Sequence, residues 1–328
     1  MSLFFVKTEK PIAASGGSIK NYIIMRKIVV LSMVLSLFFL GCHKDGIYNP
    51  KEKIKTIYLQ WENEPKELDQ KWTWEKELLT AIELFDDNTS EGFVHLTYEK
   101  KRLVKIETPW GNTINIKYDG RHYDSLEEFY PDGRTRSTIK FSHDKNKISK
   151  MEMKFYDYDE GFEKKSKNDV ISIIEPFFPA EFTQSLKKTK SNMKNEAVYT
   201  SETTTTFTYD GDNLKEIKSE GKDSDGASWN DKYTYINHDK KSNPKYRFIL
   251  GNDESGYALG VTSKNNPIEV RNLYSYQDEG SETKENYTSN STIKYEYVYD
   301  GKFPVEAKKI VRYDDGYNYQ HTTFYEYQ

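Results

Sequence analysis

The chain has 328 residues, 30% of them charged, a formal net charge of −4 and a mean hydropathy of −0.87. That length bounds one or two domains, the acidic balance excludes a surface built mainly for phosphate, and a single cysteine excludes an internal disulfide or a Cys-based metal site. Tyr and Phe number 26 and 17, and with a high load of Thr, Lys, Glu and Asp they suit many two-faced strands better than one large apolar core.

From Met25 the chain reads a basic start at Arg26 and Lys27, an apolar run from Ile28 to Leu40 and a small-residue stop at Gly41-Cys42. This is a secretory signal and not a spanning helix, because the run is shorter than the roughly 20 residues a bilayer crossing needs. Residues 1–24 lack this logic, so Met25 is the expected start. Leu40-Gly41-Cys42 resembles the lipobox of bacterial lipoproteins, whose cysteine becomes lipidated and forms the new N-terminus. The resemblance implies a signal peptide over 1–41, a lipidated tether over 42–54 and attachment to a membrane through more than one acyl chain at Cys42. His43-Lys44-Asp45-Gly46 resembles the Lys-then-acid signals that send some Bacteroidetes lipoproteins to the cell surface, without the usual second acid. Surface display is therefore favoured over the periplasmic face of the outer membrane. Without residues 1–41 the chain holds 43 basic against 51 acidic residues, a net charge of −8, and no nucleic-acid partner is expected.

Residues 55–328 read as a single repeat body. An apolar residue, any residue, Tyr or Trp, four turn-like residues and two apolar positions three apart recur at Trp72/Trp74/Leu79/Ile82, Leu96/Tyr98/Leu103/Ile106 and Ile116/Tyr118/Tyr123/Leu126. The same unit returns at Phe207/Tyr209/Leu214/Ile217 and Tyr297/Tyr299/Pro304/Ala307, and His143 replaces the aromatic at Phe141/His143/Ile148/Met151. A fixed period governs the choice of fold before local propensity does. Asp-Gly recurs at Asp119-Gly120, Asp132-Gly133, Asp210-Gly211, Asp225-Gly226, Asp300-Gly301 and Asp315-Gly316, and it tolerates the positive φ of tight hairpin turns. A period of about 22 residues then holds one hairpin, and about 11 repeats give around 20 strands.

The expected fold is all-β: a long antiparallel meander of hairpins forming a curled open sheet or incomplete barrel, since twisted open sheets rarely exceed about ten strands without curling. Trp74, Tyr98, Tyr118, His143, Tyr209 and Tyr299 form its structural ladder, covering one face because strand side chains repeat every two residues. The apolar pair three apart, as in Leu214 and Ile217, points to opposite faces of a straight strand, so either a bulge follows each turn or both faces are partly covered. Residues 75–85 have helical composition, yet the repeat claims Leu79 and Ile82 for a strand. Residues 169–190, with Pro176 and Pro179 around Phe177-Phe178, break the pattern and predict a short helical or irregular insertion.

Tyr-Asp-Gly-x-x-Leu-x-x-Ile resembles the YD repeats of Rhs-type proteins. With the lipobox and the variants Asn265-Asn266-Pro267-Ile268-Glu269-Val270 and Lys302-Phe303-Pro304-Val305-Glu306-Ala307, the chain is similar to a group of Bacteroidetes lipoproteins built of β-hairpin repeats, with a porin-like or open curled sheet. The resemblance spans roughly residues 70–328 and implies a fold and an address, but no catalytic residue. The six histidines after the signal, at 43, 95, 122, 143, 238 and 321, show no metal-ligand spacing, and no nucleophile elbow, phosphate loop or complete calcium loop occurs. No cofactor, metal or catalytic residue is expected. The reading is a non-catalytic envelope lipoprotein that presents a Tyr-rich surface to a glycan or protein partner. The alternatives are a polysaccharide hydrolase with carboxylates from separate repeats and a purely structural spacer. Function is to be sought where the repeat fails, at 169–190, at the 251–260 loop and on the face the ladder leaves open.

Overall fold

The computed structural model describes residues 45–157, 199–248, 262–278 and 286–328. Cys42, the 169–190 segment and the 251–260 stretch lie outside them. The first hairpins comprise β1 (Ile54–Trp61), β2 (Glu67–Glu75), β3 (Leu78–Asp86), β4 (Thr89–Glu99), β5 (Arg102–Glu107) and β6 (Thr113–Asp119). Next come β7 (His122–Phe129), β8 (Thr135–Asp144), β9 (Lys147–Asp157), β10 (Tyr199–Asp210) and β11 (Asn213–Asp223). The chain ends with β12 (Ser228–His238), β13 (Pro267–Gln277), β14 (Asn286–Asp300), β15 (Phe303–Tyr313) and β16 (Asn318–Tyr327).

Each strand pairs antiparallel with its chain neighbours, and β1 pairs with β16, so the 16 described strands close into a barrel. The expected open or incomplete sheet is thus corrected. Ile57 opposite Tyr325 and Trp61 opposite His321 weld the first strand to the last. Closure removes the unpaired backbone groups that two free edges would expose. The count also falls short of about 20 because two-residue turns are not universal: β9 and β10 are joined through 158–198, and β12 and β13 through 239–266. Residues 78–86 form β3, so the repeat prevails over local helical composition there.

A bulge resolves the spacing of three. In β5, Tyr98 faces Leu103 but Thr97 faces Lys105, leaving Val104 as the extra residue, so Leu103 and Ile106 both turn inward. The same slip follows Trp74, Tyr118, His143, Tyr209 and Tyr299. The two-residue turns begin with a left-handed residue, Gly120, Gly211 and Gly301 at φ +55 to +59 and Lys76 and Lys145 at φ +56 and +59 where no glycine is present. These five turns lie on one rim, here the ladder rim; the other end of the barrel, where Asp87-Asn88 joins β3 to β4, is the far rim.

The interior is packed. Leu79, Ile106, Met151, Leu214, Ile217, Val270 and Val311 come from strands all round the barrel, and each is at most 2% exposed. Burying each such side chain stabilises by about 1.5–3 kcal/mol. The outer wall is charged instead. Lys218, Lys232, Arg271 and Lys294 sit at or beside the midpoints of β11 to β14 and pair with Glu220, Glu216 and Glu269. Exposed pairs of this kind stabilise by about 1 kcal/mol or less in water, and the same lysines at mid-height facing lipid destabilise by about 2–4 kcal/mol each. Water, not acyl chains, is the solvent this wall fits. No helix among the described residues is long and apolar enough to cross a membrane, which says nothing about strands.

Candidate functional site

The ladder rim is built from the repeat itself. The slot aromatic at the end of an even-numbered strand donates a hydrogen bond to the carbonyl of the first inward residue of the strand before it. Trp74 Nε1 reaches Ile54 O at 2.7 Å, Tyr98 Oη reaches Leu79 O at 2.8 Å, Tyr118 Oη reaches Leu103 O at 2.5 Å and Tyr209 Oη reaches Ile148 O at 2.8 Å. Tyr327 Oη reaches Pro304 O at 2.7 Å. In β14 it is Tyr297 that donates, to Pro267 O at 2.9 Å, while Tyr299 turns to the Asp239 carboxylate. Burial raises the pKa of Tyr98, Tyr118 and Tyr327, so these phenols stay protonated as donors.

The ladder breaks twice, each time at a histidine. At β8 the slot holds His143, and strand β12 ends on His238. Both gaps are filled by a segment from elsewhere in the chain. Ser263 accepts from the Leu214 amide at 3.0 Å and bonds His238 Nε2 at 3.0 Å. Asp45 plays the corresponding part at β8: its Oδ2 accepts from the Tyr123 amide at 3.0 Å and lies 3.2 Å from His143 Nε2 and 3.3 Å from His122 Nδ1. The two imidazoles stand 4.6 Å apart between centroids. His143 Nε2 is buried and makes no hydrogen bond of acceptable geometry. Burial pushes the Asp45 carboxyl up, but the His143 ring, the Tyr123 amide and His122 together pull it below the ordinary carboxylate value.

The segment carrying Asp45 is held firmly. Leu103 N donates to Gly46 O at 3.0 Å, Asp45 N donates to Arg121 O at 2.9 Å, and the Arg102 guanidinium donates to Asp45 O, Gly120 O and Arg121 O at 2.8–3.1 Å. Farther on, Tyr48 Oη donates to Pro244 O at 2.6 Å, and its ring packs on Phe248, Trp74 and Trp72. The N-terminal segment and the β12–β13 connection therefore meet inside this mouth.

At the far rim the inner face is aromatic and only partly covered. Trp61 stands against His321 and Tyr319, and Tyr319 against Tyr313 and Tyr317, with centroids 5.0–6.4 Å apart. The ends of this row are open, Trp61 at 44% and Tyr317 at 61% exposure.

Between the rims lie polar groups in low-dielectric surroundings. Burial lowers the His321 pKa to about 3, aided by Lys309 and Lys245. Burial raises that of Asp69, the extra residue of a bulge in β2, to about 6, although Lys245 and Gln70 draw it down. With a folded pKa above the ordinary aspartate value of 3.8, charged Asp69 opposes folding by a penalty that is absent below about pH 4, builds above it and is complete beyond about pH 6. His321 acts in the opposite sense, its contribution being lost as pH falls from about 6.5 towards 3. Asp69→Asn is therefore expected to raise the thermal midpoint at about pH 8 and leave it unchanged near pH 4. Equal shifts at both would show that charge is not the cause.

Of the residues the sequence singles out, Tyr118 and His143 come together around the N-terminal segment, whereas Trp74, Tyr98, Tyr209 and Tyr299 are distributed round the rim. Asp45 and His122 escape sequence reasoning, because they are 77 residues apart and no spacing motif spans such a gap. The available signal is His143 itself, the departure from an aromatic slot.

No protein-family model and no curated relative matches the chain. Among solved structures, a porin-like protein from Bacteroides uniformis ATCC 8492 is similar at 12% identity and a TM-score of 0.48, over 87% of this chain and 100% of that one. A porin-like protein from Bacteroides vulgatus ATCC 8482 is similar at 9% identity and a TM-score of 0.44, over 85% and 99%.

Proposed function

We propose that the chain is an outer-membrane lipoprotein, anchored through Cys42, whose filled barrel is a non-catalytic recognition module. The far-rim row of Trp61, His321, Tyr319, Tyr313 and Tyr317 is its platform for a glycan. The row carries this reading: ring faces offer apolar contact to the C–H face of a sugar, while the phenol and imidazole edges offer hydrogen bonds. Its open ends at Trp61 and Tyr317 leave room for a ligand to slide across it. The His43-Lys44-Asp45 sequence favours the cell surface as the side displayed.

The polysaccharide-hydrolase alternative has no comparable support. Asp231 is bonded to Asn272, and Glu128 pairs with Arg136 at 3.2 Å and accepts from Ser137 at 2.9 Å, contacts that hold the wall together. The test is a glycan array with the exported Cys42→Ser protein. Saturable binding by one sugar class is expected, weakened at least about tenfold by Trp61→Ala, the scale of a hot-spot aromatic. Absence of binding, or binding indifferent to Trp61→Ala, would discard the glycan reading in favour of a protein partner or a spacer.

A further inference from the structure

We propose that Asp45, His122 and His143 form a transition-metal site of the zinc class that clips the N-terminal segment to the ladder rim. The donor set is two imidazole nitrogens and one carboxylate, the mixture zinc accepts with a fourth position left for water. The three ligand atoms lie within 4.8 Å of one another. A tetrahedral ion with bonds of about 2.0–2.1 Å sets its ligands about 3.3–3.4 Å apart. The Asp45 oxygen stands 3.3 Å from His122 Nδ1 and 3.2 Å from His143 Nε2, close to that separation.

Two observations favour an ion over a plain polar clip. The His143 Nε2 atom is buried and faces the Asp45 oxygen at 3.2 Å without hydrogen-bond geometry, a contact that an ion shared by the two atoms would complete. The equivalent break at His238 is complete with one serine and one histidine, Ser263 bonding both the bulge amide and the ring. At His143 the carboxylate of Asp45 takes the serine's place and a second imidazole, His122, is added, one group more than a clip requires. The surroundings also keep Asp45 free for the rings. Arg102 spends its donors on three backbone carbonyls and lies 3.7 Å over the Tyr118 ring, while the Tyr123 amide orients the carboxylate. Support of this kind around the ligands is what fixes a metal site's geometry.

Asp45 stands three positions after Cys42 in the sequence. Metal would therefore lock the start of the folded body to strands β7 and β8. This goes beyond the recognition role and does not depend on it.

The experiment titrates Zn²⁺ and Co²⁺ into the exported full chain carrying Cys42→Ser, which also removes the only thiol. One equivalent of Zn²⁺ is expected to bind, Co²⁺ to give the intense visible bands of a tetrahedral site, and the thermal midpoint to rise with Zn²⁺ and return with chelator. His122→Gln and His143→Tyr are each expected to weaken binding at least about tenfold and to abolish the Co²⁺ bands. In chelator their midpoints are to stay near the parent's, and His143→Tyr supplies the phenol that the other slots carry. No saturable binding by the parent, or binding retained in both variants, would overturn the proposal. Should one variant unfold, the other and the parent's Co²⁺ spectrum still decide it.

Discussion

Gly46→Ala is expected to destabilise the barrel by roughly 3–5 kcal/mol, through overpacking, a lost hydrogen bond and a strained backbone acting at one residue. Gly46 has φ +77, where a side chain is strained, and an alanine methyl there would fall on the Tyr118 hydroxyl and 2.7 Å from its ring Cζ. Tyr118 cannot retreat without releasing the Leu103 carbonyl, its ladder partner, and Gly46 cannot retreat without releasing the Leu103 amide. Both bonds end on Leu103, the residue just before the bulge that pairs with Tyr98 of β4, so either retreat unpins the start of β5. Gly120→Ala is the matched control: φ is +55, but nothing lies within 4 Å of the new methyl. That variant is expected to lose only about 1 kcal/mol. Equilibrium denaturation of the two variants checks the contrast, and a loss at Gly46 no larger than at Gly120 would show that the N-terminal segment is not seated against Tyr118.

The same residues show what a single sequence reveals and what it withholds. The hairpins are legible because Asp-Gly and the slot aromatics are local signals, and the bulge is legible because Leu214 and Ile217, three apart, both belong inside. Closure is not, since it depends on Ile57 meeting Tyr325 across the length of the chain. Strand number is misjudged for a related reason: a period gives a regular count only while every connection is a turn, and the connection from β12 to β13 is longer, with Pro244 and Phe248 meeting Tyr48 inside the mouth. The candidate metal cluster is hidden for both reasons together. His143 announces an exception to the repeat, but only the docking of a distant segment supplies Asp45, and only the short β6–β7 turn brings His122 beside it.

On the proposed lipid anchor, Cys42→Ser is expected to move the protein from the membrane to the aqueous fraction, folded without detergent. Barrel closure alone does not predict this, because closed barrels are also what span outer membranes. The direction of the side chains decides it. A spanning barrel turns an apolar band outward and polar residues inward; here Leu214, Ile217 and Val270 face in, while Lys218, Lys232, Arg271 and Lys294 ring the outside at mid-height. Four such cations facing hydrocarbon would together oppose insertion by on the order of 10 kcal/mol. Acyl chains contribute about 0.8 kcal/mol per buried methylene, enough for two or three of them to hold the whole body at a surface. On that proposal attachment resides entirely in Cys42. Detergent phase partitioning with far-ultraviolet circular dichroism makes the measurement. A Cys42→Ser protein that stays with the membrane, or needs detergent to keep its strand signal, would mean that the charged wall meets lipid after all.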